Sequence, residues 1–288
     1  MSNLFSGLED LGLKKASKVD VYKNEEDKDE NDKGTVKKEE IKDTDFLFLK
    51  THICPVCENE FKESTVKTGS IKLSSVDTDL RPKYDQLDGV KYGVTLCNKC
   101  GYAALNQLFK KVTSIQCKLV REQISSTYKP IEENKDSLKI SYDDAILRHK
   151  LALLNTVVKK GKNSERAYTC LKTAWVLRGK AEEIEKSMQE ETDKGSAKAM
   201  IAELKKEEDK FIINAFEGFS KAYSTEGFPI SGMDMNTLSY LLGDLARRIC
   251  KYDEASRWIS EVIVSRSASK RLKDSARNIK ELLAKEKK

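Results

Sequence analysis

The sequence predicts an α+β protein, mainly α, in which a small cysteine-bearing β module precedes an all-helical domain of stacked hairpins. Three observations predict it. Two Cys-x-x-Cys pairs, Cys54-Pro-Val-Cys57 and Cys97-Asn-Lys-Cys100, bracket residues 58–96, where strand-like alternation with period two recurs. From Ser141 onward apolar residues return at steps of three and four. Glycine, a poor helix former, is sparse from Ser141 to Phe228-Pro229.

Composition sets the bounds. A length of 288 residues suits one large domain or two small ones. Hydrophobic residues make up 39% and charged residues 35%, a balance that favours solvated segments and slender helical layers. No run of 18 apolar residues occurs, so no membrane-spanning helix is expected. The N-terminus lacks the basic segment and apolar core of a secretory signal. A cytoplasmic, reducing setting follows, in which the seven cysteines stay thiols and paired motifs read as metal sites.

The elements run in order. In residues 1–22, Leu4, Leu8 and Leu11 recur at helical spacing with Phe5 alongside. That peptide is too short to be a stable helix alone, and two readings stay open: docking on the body of the protein or on a partner, and a weakly ordered terminus. Residues 23–45, almost wholly Lys, Glu, Asp, Asn and Thr, read as a disordered linker. The module at 46–104 is expected to hold strands near 61–67, 70–76 and 91–96, with turns at Arg81-Pro82 and Asp88-Gly89. A connecting segment, 105–140, follows. Leu105, Leu108, Val112, Ile115 and Leu119 predict a helix from Tyr102 to about Thr127, ended by Lys129-Pro130. The domain at 141–288 opens with Ser141 as an N-cap. Its helices are expected over 142–160, 164–178, 181–193, 196–224, 235–250, 253–265 and 268–286. Positions 197, 201, 204, 211, 215, 219 and 222 form the apolar stripe of the fourth.

The cysteines carry the sharpest signal. Each Cys-x-x-Cys places two sulfurs on a tight turn, and two such turns brought together give the four-sulfur tetrahedron that zinc prefers. Cys54, Cys57, Cys97 and Cys100 are therefore the expected ligands of one zinc per chain. Four thiolates fill the coordination sphere, so the role is structural rather than catalytic. Iron in a similar four-sulfur site stays open as an alternative. A redox Cys-x-x-Cys would need only one such motif. His52, two residues before Cys54, could be a ligand only if a cysteine were displaced. Cys117, Cys170 and Cys250 sit singly in helical segments and read as small hydrophobes.

Residues Leu238 to Val262 resemble a tetratricopeptide unit. Leu242-Gly243 and Ala255 stand where small residues let two helices cross. Ser239 replaces the usual tryptophan and Ser267 the terminal proline. A weaker unit covers Leu154, Gly161, Ala167, Leu171 and Ala174. Two imperfect units fall short of a free-standing solenoid. The wider pattern is Phe5 to Glu9, the first cysteine pair with Phe61, Asp77-Thr-Asp79, Arg81-Pro82 and Tyr84. It continues with Cys97 to Ala104, Ala174-Trp175-Val-Leu-Arg178 and Phe228-Pro229-Ile-Ser-Gly232. This pattern is similar to the bacterial DUF2225 family, whose members combine a zinc-ribbon-like part with a tetratricopeptide-like helical part. The resemblance implies that architecture and a bacterial cytoplasmic setting, and no activity. Asn98 stands where proline is more usual.

Three functions compete. The favoured one is a protein-interaction scaffold, not an enzyme, whose first helix of the late hairpin lines a partner groove. Asn236, Ser239, Asp244, Arg247 and Arg248 are its expected exposed residues, the arginines offering planar donor forks. The partner is a protein or peptide, the N-terminal peptide being one available occupant. The alternative is nucleic-acid binding by the basic C-terminal tail, where Ser265 to Lys288 hold nine Lys/Arg against three Asp/Glu. That tail has no aromatic residue for stacking on bases. An enzyme is least favoured. Neither a phosphate loop nor a nucleophile triad is visible, and the one dense polar cluster, Asp77, Asp79, Arg81, Tyr84 and Asp85, reads as turn chemistry and ion pairs.

Overall fold

A strand that finds only one partner must hide its faces elsewhere, and three such pairs shape the first half. In the computed structural model, which describes residues 43–131, 138–188 and 194–287, a 3-10 turn (Asp43–Phe46) leads into β1 (Leu47–Ile53). β1 pairs antiparallel with β2 (Glu60–Val66). β3 (Leu73–Val76) pairs with β4 (Pro82–Tyr84) across a bulge between Leu73 and Ser75. A 3-10 turn (Gly89–Tyr92), capped by the Asp88 carboxylate, enters β5 (Val94–Cys97), which pairs with β6 (Tyr102–Leu105). The N-terminal peptide at 1–22 lies outside the described residues, as does the linker at 23–45 apart from its last three residues.

The expected helix from Tyr102 begins later. Tyr102–Leu105 is strand, and all four residues are buried. Leu96 and Val94 need a partner edge, and the tight turn after Cys97 brings this segment back against them. The helix is confined to α1 (Ser114–Val120), with a capping box between Thr113 and Gln116, and a π-helical turn over Arg121–Ser125. Ile115, one of the residues whose spacing suggested the longer helix, is 76% exposed.

The helical half follows the sequence more closely. α2 (Tyr142–Val158) starts at the expected cap, the Ser141 hydroxyl accepting from the Asp144 amide. α3 (Asn163–Ser187) joins two expected helices into one and runs straight through Gly179. A helical glycine costs only about 1 kcal/mol against alanine, less than the packing of Trp175, Val176, Leu177 and Ala181 on its two sides. α4 (Lys194–Thr225) turns its predicted stripe inward, with Ile201, Leu204, Ala215, Phe219 and Ala222 buried. α5 (Met235–Arg248), α6 (Tyr252–Val264) and α7 (Lys270–Glu286) complete the stack.

The tetratricopeptide-like crossing is present between α5 and α6. A Cβ on Gly243 would lie 2.6 Å from the Ile259 side chain, so only glycine admits this approach. Ala255 is fully buried beside it. α7 packs through Ala276, Ile279 and Leu283, while Lys270, Arg271 and Lys280 face solvent. Much of the basic tail is thus the wet side of a docked terminal helix. Among the described residues no helix is long and apolar enough to cross a membrane.

One compact unit extends from Lys42 to Lys288. Its main apolar cluster draws on Leu47, Leu87, Val90 and Tyr92 from the strand-rich part, together with α3, α4, α5, α6 and α7. A second cluster surrounds the cysteine pairs, and a third seats the β5–β6 hairpin on Ala152 of α2.

Candidate metal centre

Both cysteine pairs are built alike. In the first, the Glu58 amide donates to the Cys54 carbonyl at 2.9 Å, and Glu58 takes φ of 59°. In the second, the Gly101 amide donates to the Cys97 carbonyl at 2.9 Å, and Gly101 takes φ of 74°. Each turn therefore ends on a left-handed residue directly after its second cysteine. That reversal keeps both sulfurs of a pair on one side. The Val56 amide also points at the Cys54 sulfur, 3.4 Å away.

The two turns face each other. Cys54 Sγ lies 3.6 Å from Cys100 Sγ, and Cys57 Sγ lies 3.6 Å from Cys97 Sγ. All four sulfurs fall within 4.8 Å of one another. A tetrahedron with metal–sulfur bonds of about 2.3 Å has sulfur–sulfur edges of roughly 3.8 Å, close to this arrangement. The sulfurs are not joined as disulfides, and four cysteines so placed could hold a metal ion. Cys54 and Cys97 are fully buried, Cys100 nearly so, and Cys57 half-buried. Hydrogen bonds from Cys100 and Cys54 hold the Cys97 thiol well below the ordinary range, while bonding to Cys54 and Cys97 pushes Cys100 up. Thiols crowded this closely cannot all ionise without a cation among them.

A second layer holds the turns from outside. Arg121 Nε donates to the Val56 carbonyl at 2.7 Å, and Cys117 Sγ contacts the Pro55 carbonyl at 3.4 Å. Asn98 takes hydrogen bonds from the Tyr128 hydroxyl and the Ile131 amide, both at 2.8 Å. Asn155 of α2 donates to the Gly101 carbonyl at 2.9 Å. Asn98 thus does by side-chain bonding what a proline would do by stiffness. His52 stacks on Phe61, with ring centroids 5.6 Å apart, and is not among the clustered ligands. Of the lone cysteines, Cys117 and Cys170 are buried as expected, whereas Cys250 is exposed at the end of α5.

Gly101 makes a sharp test of this construction. A Cβ there would sit 2.5 Å from Cγ of the Tyr128 ring, on a backbone with positive φ. Gly101→Ala is expected to cost roughly 2 kcal/mol or more. Its thermal midpoint should fall by several degrees, and its metal should pass faster to a chelator.

Residues 47–283 match the model of a family described as an uncharacterized protein conserved in bacteria, DUF2225. The chain belongs to the DUF2225 family. No curated protein and no solved structure matches it. The DUF2225 match spans both cysteine pairs and, among the described residues, the α-helices α1 to α7 but for the last residues of α7.

Two of the motifs that carried the DUF2225 resemblance meet in space. Asp79, fully buried, accepts from Trp175 Nε1 at 3.1 Å and from Arg178 Nη2 at 2.6 Å. Arg178 reaches on to Asp77 at 3.1 Å and Glu208 at 2.7 Å. Burial opposes the ionised form of Asp79, but the Arg178 and Arg248 guanidinium groups outweigh it and hold its carboxyl below the usual range. Arg81 is buried among Asp77, Asp88 and Glu182. Tyr84 is half-buried and Asp85 exposed. The five polar residues do not converge on one cleft: Arg81, Tyr84 and Asp85 line one depression, while Asp79 turns into the helices.

The late-hairpin residues require a correction. Ser239 and Asp244 are buried, not exposed. The face of α5 expected to line a groove packs against the loop before β4. Asp244 accepts from Thr78 Oγ1, Arg247 Nε and Arg248 Nε, each at 2.9 Å. Arg247 also pairs with Glu286 at 2.6 Å, and Asn236 donates to Ser267 Oγ at 3.0 Å. A residue-type reading counts polar side chains as exposed, and here they satisfy one another inside.

Proposed function

We propose that this chain is a zinc-stabilised scaffold that binds a protein partner in the bacterial cytoplasm, and that it is not an enzyme. The observation that carries the interaction reading is a bare apolar stripe on α2. Leu147, Leu154 and Val157 are 47%, 51% and 49% exposed, beside half-buried Leu151 and Val158, which pack partly on the clusters beneath. They share one helical face, opposite the buried Ala145, His149, Ala152 and Thr156. Apolar residues aligned along one exposed face mark an interaction site more often than scattered ones do.

Zinc is the metal that four thiolates in a tetrahedral cluster favour. When bound, it would cross-link the two cysteine turns and leave no coordination position open for substrate. Free thiols gathered in this way accord with a reducing compartment. Protein purified from zinc-replete cells should carry about one zinc per chain, released by a mercurial. A red iron chromophore, or a folded protein with no metal, would overturn the zinc assignment. The interaction reading is tested by affinity capture with the wild-type chain against a Leu147→Asp/Leu154→Asp variant. Proteins held only by the wild type support it, and an unchanged set sinks it.

A further inference from the structure

The α2 stripe is complementary to itself. We propose that two copies of this chain pair through α2, antiparallel, about a twofold axis that passes between Leu151 and Leu154. The inference rests on the interaction role assigned to that face and names its partner.

Register is the first argument. At about 100° per residue, Leu147, Leu151, Leu154 and Val158 fall within an arc of about 60°, on the side of α2 opposite the buried Ala145, His149, Ala152 and Thr156. They recur at steps of four, three and four, the spacing of a seam between two helices. Turned antiparallel about its midpoint, the seam matches itself. Leu147 meets Val158 of the partner subunit, and Leu151 meets the partner's Leu154. Each apolar residue finds an apolar neighbour, and the two halves of the contact are identical, as a closed isologous dimer requires.

Charge is the second. Asp143 and Asp144 are exposed at the N-terminal end of the seam, Asp143 at 77% although Lys180 reaches it. Lys160 and Lys162 are exposed just past the C-terminal end. The antiparallel pair sets the two aspartates against the partner's Lys160 and the partner's Lys162, and the twofold axis repeats the contact. A parallel pair would set aspartate on aspartate and lysine on lysine, which is penalised. Lys150, paired with Glu207 of α4 at 2.6 Å, gives the seam a polar border. One helix face is small beside a standard interface, so assembly is expected at micromolar rather than nanomolar concentration.

Sedimentation velocity of the full-length chain over a micromolar concentration series tests this. The wild type should show a concentration-dependent dimer. Leu154→Glu should be monomeric, with a thermal midpoint equal to that of the wild type at a dilution where both are monomers. Asp143→Lys/Asp144→Lys and Lys160→Glu/Lys162→Glu should each dimerise weakly alone, because each sets like charges together. Mixed in equal amounts, they should pair at about tenfold lower concentration than either alone, since exposed charge pairs, each weak, are restored at both ends. A wild type that stays monomeric throughout overturns the proposal, as does a dimer that Leu154→Glu leaves whole. A mixture that pairs no better than its parts excludes the antiparallel register and overturns it too. If the chain is monomeric and Leu147→Asp/Leu154→Asp still loses captured proteins, the interaction role of the stripe stands while its self-pairing falls.

Discussion

Replacing Cys97 by serine is expected to release the metal and to strip hydrogen-exchange protection from β5, β6 and α1. Ligation free energy in small zinc modules is folding free energy, about 10 kcal/mol or more for a complete site. Loss of one thiolate from a buried cluster should remove on the order of half of it. Damage will not stop at the hairpin. Asn155 donates to the Gly101 carbonyl and Ala152 sits under β5 and β6, so the middle of α2 should loosen as well. α3 to α7 pack around Leu171, Phe219, Leu241, Ile259 and Ile279 in a cluster that excludes the cysteine pairs and should stay protected. Cys117→Ser, which alters a buried thiol outside the ligand cluster, is the control and should retain the metal. Exchange measured by mass spectrometry beside metal analysis decides the matter. Full protection of β5 and β6 in a metal-free Cys97→Ser protein would show that the cluster does not hold the module together.

The second large effect is expected at Asp79. Asp79→Ala leaves the Arg178 guanidinium, only 13% exposed, without its nearest carboxylate and deprives Trp175 Nε1 of its acceptor. Removing one member of a buried ion pair costs about 3–5 kcal/mol, and chemical denaturation should read a loss in that range. Asp79→Asn keeps an acceptor for Trp175 and should lose less. The sign of the pH dependence follows from the depressed carboxyl. Asp79 binds its proton more weakly folded than unfolded. Its contribution is therefore full above the ordinary aspartate range and disappears as pH falls through the lower folded value. Acid unfolding of Asp79→Asn should accordingly be flatter than that of the wild type. A loss below 1 kcal/mol for Asp79→Ala would mean that water screens the site.

The cluster of four cysteines was legible because spacing alone announces it: two Cys-x-x-Cys pairs need no tertiary knowledge. The helices after Ser141 were legible through period and caps, since Ser141 bonds as its sequence suggests. The break at Gly179 was an error of weighting, because one weak residue does not interrupt a helix packed on both sides. The segment from Tyr102 misled because its apolar residues satisfy two periods at once, and pairing with β5 decided in favour of strand. The inward turn of Ser239 and Asp244 left no local trace. Their burial depends on Thr78, Arg247 and Arg248, and Thr78 lies far away in the chain. The motifs Asp77-Thr-Asp79 and Ala174-Trp175-Val-Leu-Arg178 were both visible, but nothing in either said that they bond to each other.

The long reach of that ion network bears on the order of events during synthesis. Thr78 bonds to Arg248 across 170 positions of chain, and Asp79 to Arg178 across 99. All four cysteines leave the ribosome while these arginines are still untranslated. A nascent chain therefore holds all four clustered cysteines while Asp79 is still hydrated in open solvent. Only when α3 and then α5 arrive do the guanidinium groups draw that carboxylate out of water. The cysteine turns are thus made early in the chain, whereas the network around Asp79 is complete only once residues 99 and 170 positions further along have been made.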